Sequence, residues 1–573
     1  MVNEIISYPF DSIEIIKKKK AIKRQLRRQD ALLEVRIAIM SGSTVGVVSD
    51  VLELFLLYFG IKPIFFIGNY NRYYEELLFE NRELFAFSPD IIYIHTSIRN
   101  VTDTFEIEKF KVMWDKIREV YACTIIQNNF ELPGYYEAAL CKKINEYNVF
   151  IADYALKNNN FYVNDIQFLS AWYGLGAWLD AQDYMLYKYA LSIKAIPHLS
   201  YQIAKIIKSM YGKNQKCLVL DLDDTLWGGI VGEIGTEKIE IGSDTALGEG
   251  YKAFQKYVKT LHEQGIILAV CSKNEEKITR DAFNNPNMVL SLEDITVFCA
   301  NWDNKADNIK YIAAQLNILP ESIVFIDDNP AERELIRQAI PQVKVPEVNN
   351  VVDFIRHIEE AGYFYTTRVT EEDKKRNQYY ANEVKRANEE ELFADYSAYL
   401  RSLCMTSEIE AFSWASIERI VQLINKTNQF NFTTRRYSIH EINDVMINSQ
   451  YITLYGTLDD KFGSNGIVSA IIGKAQADVL HITLWVMSCR VFKRDMECAM
   501  LDRLVKMARD AGISKIVGCY YPSAKNGVVR ELYKDMGFNK TSEDESGNTV
   551  WALHTSSYVN KNKVISVTRG RTV

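Results

Sequence analysis

Short apolar runs alternate with longer amphipathic stretches along the first 350 or so residues. VRIAIM (Val35–Met40), KPIFFIG (Lys62–Gly68), DIIYIHT (Asp90–Thr96) and TIIQNNF (Thr124–Phe130) read as buried strands. After the SGST turn (Ser41–Thr44), Val45–Gly60 is helical in length and apolar content. This alternation predicts a doubly wound α/β domain over 31–205. The pattern returns in CLVLDLD (Cys217–Asp223), ILAVCS (Ile267–Ser272) and IVFIDD (Ile323–Asp328), with helical stretches at Gly250–Gln264 and Asn304–Leu316. These predict a second α/β domain over 214–350.

The highly charged stretch Val369–Leu403 places Tyr379, Tyr380, Val384, Leu392, Phe393, Tyr396 and Leu400 at helical intervals. It predicts one long helix, or two with a break, inside a linker over 351–405. ITLYGTL (Ile452–Leu458), VLHITLWVM (Val479–Met487), the helix Met496–Ala511 and KIVGCYY (Lys515–Tyr521) predict an α+β domain over 406–556. At the start, 1–30 holds the basic run KKKKAIKRQLRRQ (Lys17–Gln29), with Ile22 and Leu26 four apart, and reads as a solvated amphipathic helix. The end, 557–573, reads as a polar, basic, frayed tail.

Composition narrows this picture. The 573 residues are 48% hydrophobic and 25% charged, which excludes a mainly disordered or low-complexity chain. A net charge of −7 argues against a nucleic-acid partner. The nine cysteines form no CxxC pair and no zinc-ligand spacing, so they imply a reducing compartment. The N-terminus lacks the order of a signal peptide, and the longest apolar run, Val51–Ile61, contains Glu53 and is too short for a membrane span. The expected location is the cytoplasm.

The chemistry concentrates in LDLDDTLWGG (Leu220–Gly229), where an apolar strand runs straight into acids. Open α/β sheets build their sites at the carboxyl ends of strands. Asp221 and Asp223 are two apart, so the pleat points them to one side. Buried like charges need a cation, and an oxygen-only set favours Mg²⁺. VFIDDNPAERE brings Asp327 and Asp328 to another strand end, AVCSKN brings the Ser272 hydroxyl, and Lys305 in WDNKADNI opens a helix and can neutralise phosphate.

The order DxDxT, strand-terminal Ser, Lys, then DD resembles the four motifs of the haloacid-dehalogenase (HAD) phosphatase superfamily. The strings KCLVLDLDDTLWGG, CSKN, WDNKADNI and IDDNPAERE resemble its FkbH-like branch, which more often has Asn at the place of Asp224. The resemblance implies a Rossmannoid parallel sheet, with Asp221 as the nucleophile and Asp223 as the acid and base. It gives the metal to Asp221, the backbone carbonyl of Asp223, and Asp327 or Asp328. Ser272 and Lys305 hold the phosphate, and Thr225 steadies the loop. About 50 residues separate Asp221 from Ser272 and about 30 separate Ser272 from Lys305, leaving no room for a full cap. Within the first gap, WGGIVGEIGTEKIEIG (Trp227–Gly242) is expected to form a β-hairpin flap over an open site.

Three functions are consistent with these motifs. One is an Mg²⁺-dependent phosphatase acting on a phosphorylated small-molecule metabolite. Another, implied by the FkbH-like resemblance, is a glyceryl transferase that loads an acyl carrier protein, with Cys217 or Cys489 as the candidate thiol. The third is a non-catalytic scaffold that binds a carrier.

The flanking domains carry weaker likenesses. The first resembles flavodoxin- and SGNH-hydrolase-like α/β domains. It offers Ser41 or Ser43 and His198 but lacks the GDS and DxxH signatures, so a structural or substrate-gathering role is expected. The last resembles a GNAT-like α+β domain through TNQFNFTTRRY, SCRVFKRDME and YPSAKNGVVRELYKDMGF. Lys493 and Asp495 stand where that resemblance calls for glycine, while Arg490 and Arg494 can still meet a phosphate. Binding of a carrier's pantetheine arm, or a structural role, is implied.

Overall fold

The computed structural model describes residues 5–28, 32–79, 81–102, 105–121, 123–348, 350–523 and 525–568. Gln29 of the basic run, Ala31 at the predicted domain start and 569–573 of the tail lie outside the described residues. The chain is a multidomain α/β protein and divides into two compact units. One comprises Met1–Lys213 with Arg436–Asn448, the other Asn214–Arg435 with Ser449–Val573.

The first unit holds a five-stranded parallel sheet in the order β2-β1-β3-β4-β5. The strands are β1 (Leu33–Ser41), β2 (Ile61–Ile67), β3 (Ile91–His95), β4 (Thr124–Asn128) and β5 (Phe161–Asn164). β5 is only four residues long, and the sequence pattern did not separate it from its surroundings. β3 is buried along its whole length, as expected for a central parallel strand with both faces covered. The basic N-terminal helix, Ser12–Leu26, buries Ile15, Ile22 and Leu26. Two of its lysines pair within the unit: Lys19 with Asp50 at 2.7 Å, and Lys23 with Asp50 at 3.0 Å and Glu53 at 2.9 Å.

The second unit contains two sheets. A four-stranded parallel sheet runs β8-β7-β6-β9, from β6 (Cys217–Leu220), β7 (Ile267–Ser272), β8 (Ile295–Ala300) and β9 (Ile323–Ile326). β8 was missing from the sequence reading, which found three strands here. The chain leaves β6 toward β7 on one side and returns to β9 on the other, so the sheet changes direction at β6 and β9. Ligands of open α/β sheets bind at such a point. The segment expected as a β-hairpin flap instead forms the short helix Val231–Ile234, and a bridge of Gly228 to Glu240 closes its base.

The other sheet is eight-stranded, in the order β15-β16-β14-β13-β12-β11-β10-β17. Its strands are β10 (Thr406–Glu410), β11 (Tyr451–Asp460), β12 (Gly463–Gln476), β13 (Val479–Met487), β14 (Lys515–Tyr520), β15 (Asn539–Glu543), β16 (Thr549–His554) and β17 (Ser566–Thr568). Most pairs are antiparallel; β13–β14 and β10–β17 are parallel.

The charged linker forms Glu371–Lys374, Arg376–Glu390 and Tyr396–Ser402, so the breaks win over one long helix. Helix Arg376–Glu390 joins the two sheets of this unit. Its Tyr380 and Val384 pack into the core beside Cys217, Ile267 and Ile323. Its Arg386 makes a bidentate pair with Asp460 of β11 at 2.7 and 2.8 Å and a further bond to Glu383 at 2.6 Å. A side chain at Gly265 (φ +90°) would collide with the Asp373 carbonyl where the linker begins, so glycine is required there.

Asp373 anchors the same segment, pairing with Arg376 and with Lys426 at 3.0 Å and accepting from Thr370 at 2.7 Å. Burial alone would raise its pKa. The Arg376 and Lys426 charges and the Thr370 bond outweigh burial and bring it from 3.8 to about 2. A depressed carboxylate stabilises the fold above its unfolded pKa and loses that contribution as pH falls through the folded value. Asp373→Asn is therefore expected to cost about 2 kcal/mol at neutral pH. The gap between native and variant in urea unfolding should close between about pH 4 and pH 2.

Candidate active site

The site lies at the carboxyl edge of the four-stranded sheet. β6 ends at Leu220 and releases Asp221; β9 ends at Ile326 and releases Asp327 and Asp328. Because β6 and β9 are hydrogen-bonded neighbours in register, Leu220 against Ile326, the acids that follow them emerge side by side. One ligand oxygen each from Asp221, Asp327 and Asp328 lies within 4.8 Å of the others. Lys305, the first residue of helix Lys305–Gln315 and 3% exposed, reaches into this group. Its Nζ stands 2.5 Å from Asp327 Oδ2 and 3.0 Å from Asp221 Oδ2.

Burial works against the Lys305 charge, and the Asp221 and Asp327 carboxylates outweigh it, holding the ammonium well above its ordinary value. Asp328 is pushed up to about 6 by burial and then by Asp327, Asp221 and Asp224; Asp327 is raised by burial and Asp221 against the pull of Lys305. Three carboxylates against one ammonium leave an excess of negative charge in a buried place. Asp221 Oδ1 is buried and has no hydrogen-bond partner. An all-oxygen set of this kind with an unsatisfied acceptor fits Mg²⁺.

The carboxylate of Asp223 stands outside that group. Its Oδ1 accepts from Trp227 Nε1 at 2.9 Å and from the Val231 amide at 3.1 Å, and its Oδ2 accepts from Asn274 Nδ2 at 2.8 Å. It is not among the acids whose oxygens converge on one point. Burial raises its pKa more than these three donors lower it. Ser272, the last residue of β7 and 2% exposed, has its Oγ 3.4 Å from the same Asn274 amide. Thr225 is fully buried, and its Oγ1 accepts from the Asp328 amide at 3.3 Å. Asp224 is exposed and left-handed (φ 51°), a conformation that Asn and Asp tolerate, and its Oδ1 accepts from the Gly229 amide at 2.7 Å. Its extra charge thus closes the loop while also raising Asp328.

Sequence reasoning missed three residues here. Asn274 lies inside the quoted CSKN string; its i, i+2 spacing from Ser272 was the available signal. Arg333, 4% exposed, donates from Nη1 to the Asp327 and Asp328 carbonyls at 2.9 and 2.7 Å and so fixes the acid pair. Trp227, fully buried, holds Asp223 across four residues of loop.

Other candidates lie apart from this group. Cys217 is fully buried at the first position of β6, four residues and so roughly 13 Å along the strand from Asp221. Burial pushes its thiol far up. Cys489 lies against Asn317, at the amino edge of β9, its Sγ 3.7 Å from the Asn317 carbonyl. Lys493 and Asp495 both take positive φ, 66° and 63°, the geometry glycine favours. Arg494 turns inward onto Glu383.

In the first unit, Ser41 Oγ donates to the Ser43 carbonyl at 2.5 Å, while His198 packs between Phe10 and Tyr173, each ring 5.0 Å away. No hydrogen bond joins His198 to either serine among the described residues. The histidine beside Ser41 in the sheet register is His95.

Among solved structures the chain is similar to the N-terminal part of the protein BF1531 from Bacteroides fragilis, which contains a phosphatase domain and was crystallised with Mg. The identity is 30% and the TM-score 0.56, over 61% of this chain and 99% of that one. Two further likenesses are to the ribosomal-protein-S18-alanine N-acetyltransferase of Escherichia coli and to the GNAT domain of S. lividans PAT. The first has 12% identity, covers 29% of this chain and 99% of that one, and has a TM-score of 0.21. The second has 15% identity, covers 26% and 89%, and has a TM-score of 0.22. No family model and no curated protein matches the chain.

Fold and site together define an α/β protein built around a carboxylate centre at the ends of parallel strands. Within that class, the chain belongs to the same family as the phosphatase-domain protein BF1531.

If the three carboxylates hold the cation together, losing one weakens it strongly. Asp328→Asn is expected to lower Mg²⁺ affinity by about tenfold or more in isothermal titration calorimetry. Arg333→Met, which frees the acid pair without touching a carboxylate, should lower it less.

Proposed function

We propose that the chain is an Mg²⁺-dependent phosphatase of the HAD type and of its FkbH-like branch, acting on a phosphorylated metabolite of a biosynthetic route. The observation that carries this reading is the buried Asp221 carboxylate, held by Lys305 at 3.0 Å with Oδ1 unpartnered, beside Asp327 and Asp328. The Mg²⁺ in the related phosphatase-domain crystal structure supports it.

Asp221, Asp327 or Asp328, and the Asp223 carbonyl would hold Mg²⁺, which when bound neutralises charge on the phosphoryl group. Ser272 and Lys305 hold the remaining phosphate oxygens and align phosphorus with Asp221. A carboxylate oxygen of Asp221 attacks phosphorus and the bond to the leaving oxygen breaks. Asp223, whose raised pKa favours the protonated form, gives that oxygen its proton. Water then attacks the aspartyl-phosphate, Asp223 takes the water's proton, and inorganic phosphate leaves with Asp221 restored. Asn274, bonded to Asp223 and near Ser272, keeps the proton carrier and the phosphate holder in step.

Glyceryl loading of an acyl carrier protein is the second reading; it needs room for a phosphate carried on a larger molecule, which a flap of one helical turn in place of a cap would leave. Cys217 is buried at the far end of β6, which speaks against its acting as the relay thiol. A carrier-binding scaffold is the third reading and predicts no turnover.

The test is phosphate release over a panel of phosphorylated sugars and glycolytic acids, with and without Mg²⁺. Asp221→Asn is expected to lower Mg²⁺-dependent kcat by at least about 10³-fold with an unchanged circular-dichroism spectrum. Asn274→Ala should lower it by roughly tenfold. Equal turnover by Asp221→Asn and the native chain would sink the reading. A mass gain on a carrier's pantetheine thiol would move it to the second.

A further inference from the structure

In the first unit three neighbouring parallel strands end on polar side chains that the phosphatase chemistry leaves unused: β3 on His95, β4 on Asn128 and β5 on Asn164. With Tyr93 of β3 they form one hydrogen-bonded line. Tyr93 Oη donates to Asn128 Oδ1 at 3.0 Å and lies 2.8 Å from His95 Nδ1. Asn128 Nδ2 lies 3.2 Å from the same ring nitrogen, and Asn164 Nδ2 donates to Asn128 Oδ1 at 2.8 Å. All four side chains are buried.

Both ends of this line are open. His95 Nε2 and Asn164 Oδ1 are buried and have no hydrogen-bond partner, and the same holds for Ser43 Oγ and Glu131 Oε1 in the loops after β1 and β4. The backbone keeps those loops at the same edge. The Gly42 amide donates to the His95 carbonyl at 3.0 Å, and Glu131 Oε2 accepts from the Ile98 amide, just beyond β3, at 3.2 Å. Native folds leave few buried polar atoms unsatisfied, so four at one sheet edge call for an explanation.

Aromatic rings border the edge. The Gln167 amide donates to Asn129 Oδ1 at 3.1 Å, which seats the start of helix Ile166–Tyr173 beside the end of β4. That helix exposes Phe168 (68%) and Trp172 (52%), four residues apart and so on one face. On the other side the Thr44 amide donates to the Lys188 carbonyl at 3.0 Å, and the Arg99 guanidinium lies 4.4 Å over the Tyr184 ring. Helix Ala181–Tyr187 is thereby held against the loops after β1 and β3, with Tyr187 exposed.

We infer that this edge is a binding site for a neutral sugar, in which hydroxyl groups satisfy His95 Nε2 and Asn164 Oδ1. A hydroxyl both donates and accepts, so it serves His95 whichever ring nitrogen carries the proton, and a second one gives its hydrogen to Asn164. Burial pushes His95 down to about 4, so the ring is uncharged at neutral pH. Among the described residues no lysine or arginine side chain hydrogen-bonds to this line, and Glu131 adds an acid, which disfavours an anionic ligand. The exposed rings offer flat apolar faces to the C–H side of a sugar ring. The four unpartnered atoms are closed off from solvent here, so the sugar enters as the loops after β1 and β4 part.

The probes are glucose, galactose, mannose and N-acetylglucosamine, titrated separately onto the full chain without Mg²⁺ and followed by saturation-transfer-difference NMR, with glucuronate as the anionic comparator. At least one neutral sugar is expected to give a saturable signal, and glucuronate a weaker one. Trp172→Ala should lower that sugar's affinity by about three- to tenfold. Asn164→Ala should lower it by about tenfold or more. Should Asn164→Ala fold poorly, the exposed Trp172→Ala decides alone. Mg²⁺-dependent turnover of p-nitrophenyl phosphate should be unchanged in Trp172→Ala. No saturable signal from any of the four sugars means that internal water alone meets these atoms, and overturns the site. Affinity unchanged in the folded variants, or glucuronate binding as well as the neutral sugars, overturns it too. Absence of turnover in the native chain bears on the phosphatase reading and leaves the sugar titration intact.

Discussion

Bringing three carboxylates into one buried place is unfavourable unless positive charge enters with them. The hydrogen-bonded pairing of β6 with β9 forces that crowding, since it delivers Asp221 beside Asp327 and Asp328. Lys305 supplies part of the compensation from the first turn of its helix and takes one oxygen each of Asp221 and Asp327. Three carboxylates against that one ammonium leave a net negative charge there. Around that centre the loops serve to hold direction. Arg333 pins the carbonyls of the acid pair, Thr225 receives the Asp328 amide, and Trp227 with Asn274 turns Asp223 away from the other acids. Two acids only two residues apart thus live in different surroundings.

Much of this centre was legible in the sequence, for a physical reason. A parallel strand is a short apolar run, and an acid just after one must sit at a strand end; the same holds for Ser272 and, through its helix start, for Lys305. What strand-end reasoning leaves out are the supports. Trp227, Asn274 and Arg333 act through hydrogen bonds to a loop whose path no local pattern encodes. The flap misled because glycines and β-branched residues read as a hairpin, whereas Val231–Ile234 closes one helical turn. β5 was too short to register, and β8 (ITVFCA) carries a weaker apolar signal than its neighbours. The N-terminal basic run reads as a solvated helix face, whereas Lys19 and Lys23 turn onto Asp50 and Glu53, acids that lie too far along the chain for a local charge pattern to pair.

The linker is better described as a joint than as a tether. Tyr380 enters the core of the parallel sheet while Arg386, on the same helix, clasps Asp460 of the eight-stranded sheet. One face is apolar and the other ionic. Asn377, Asn382, Glu383 and Arg386 are buried along with Tyr379 and Tyr380, and the bidentate pair fixes the angle at which the helix meets β11.

The first compact unit is discontinuous in the chain: it is completed by Arg436–Asn448, which carries helix Ile439–Ile447. Roughly 220 residues of the other unit are made in between. At a ribosome's pace of about 5–20 residues per second, that closing piece emerges on the order of ten to forty seconds after Lys213. Over that interval the nascent five-stranded body lacks a helix it will later own, so its final consolidation comes late in translation and waits on synthesis of the phosphatase-type body.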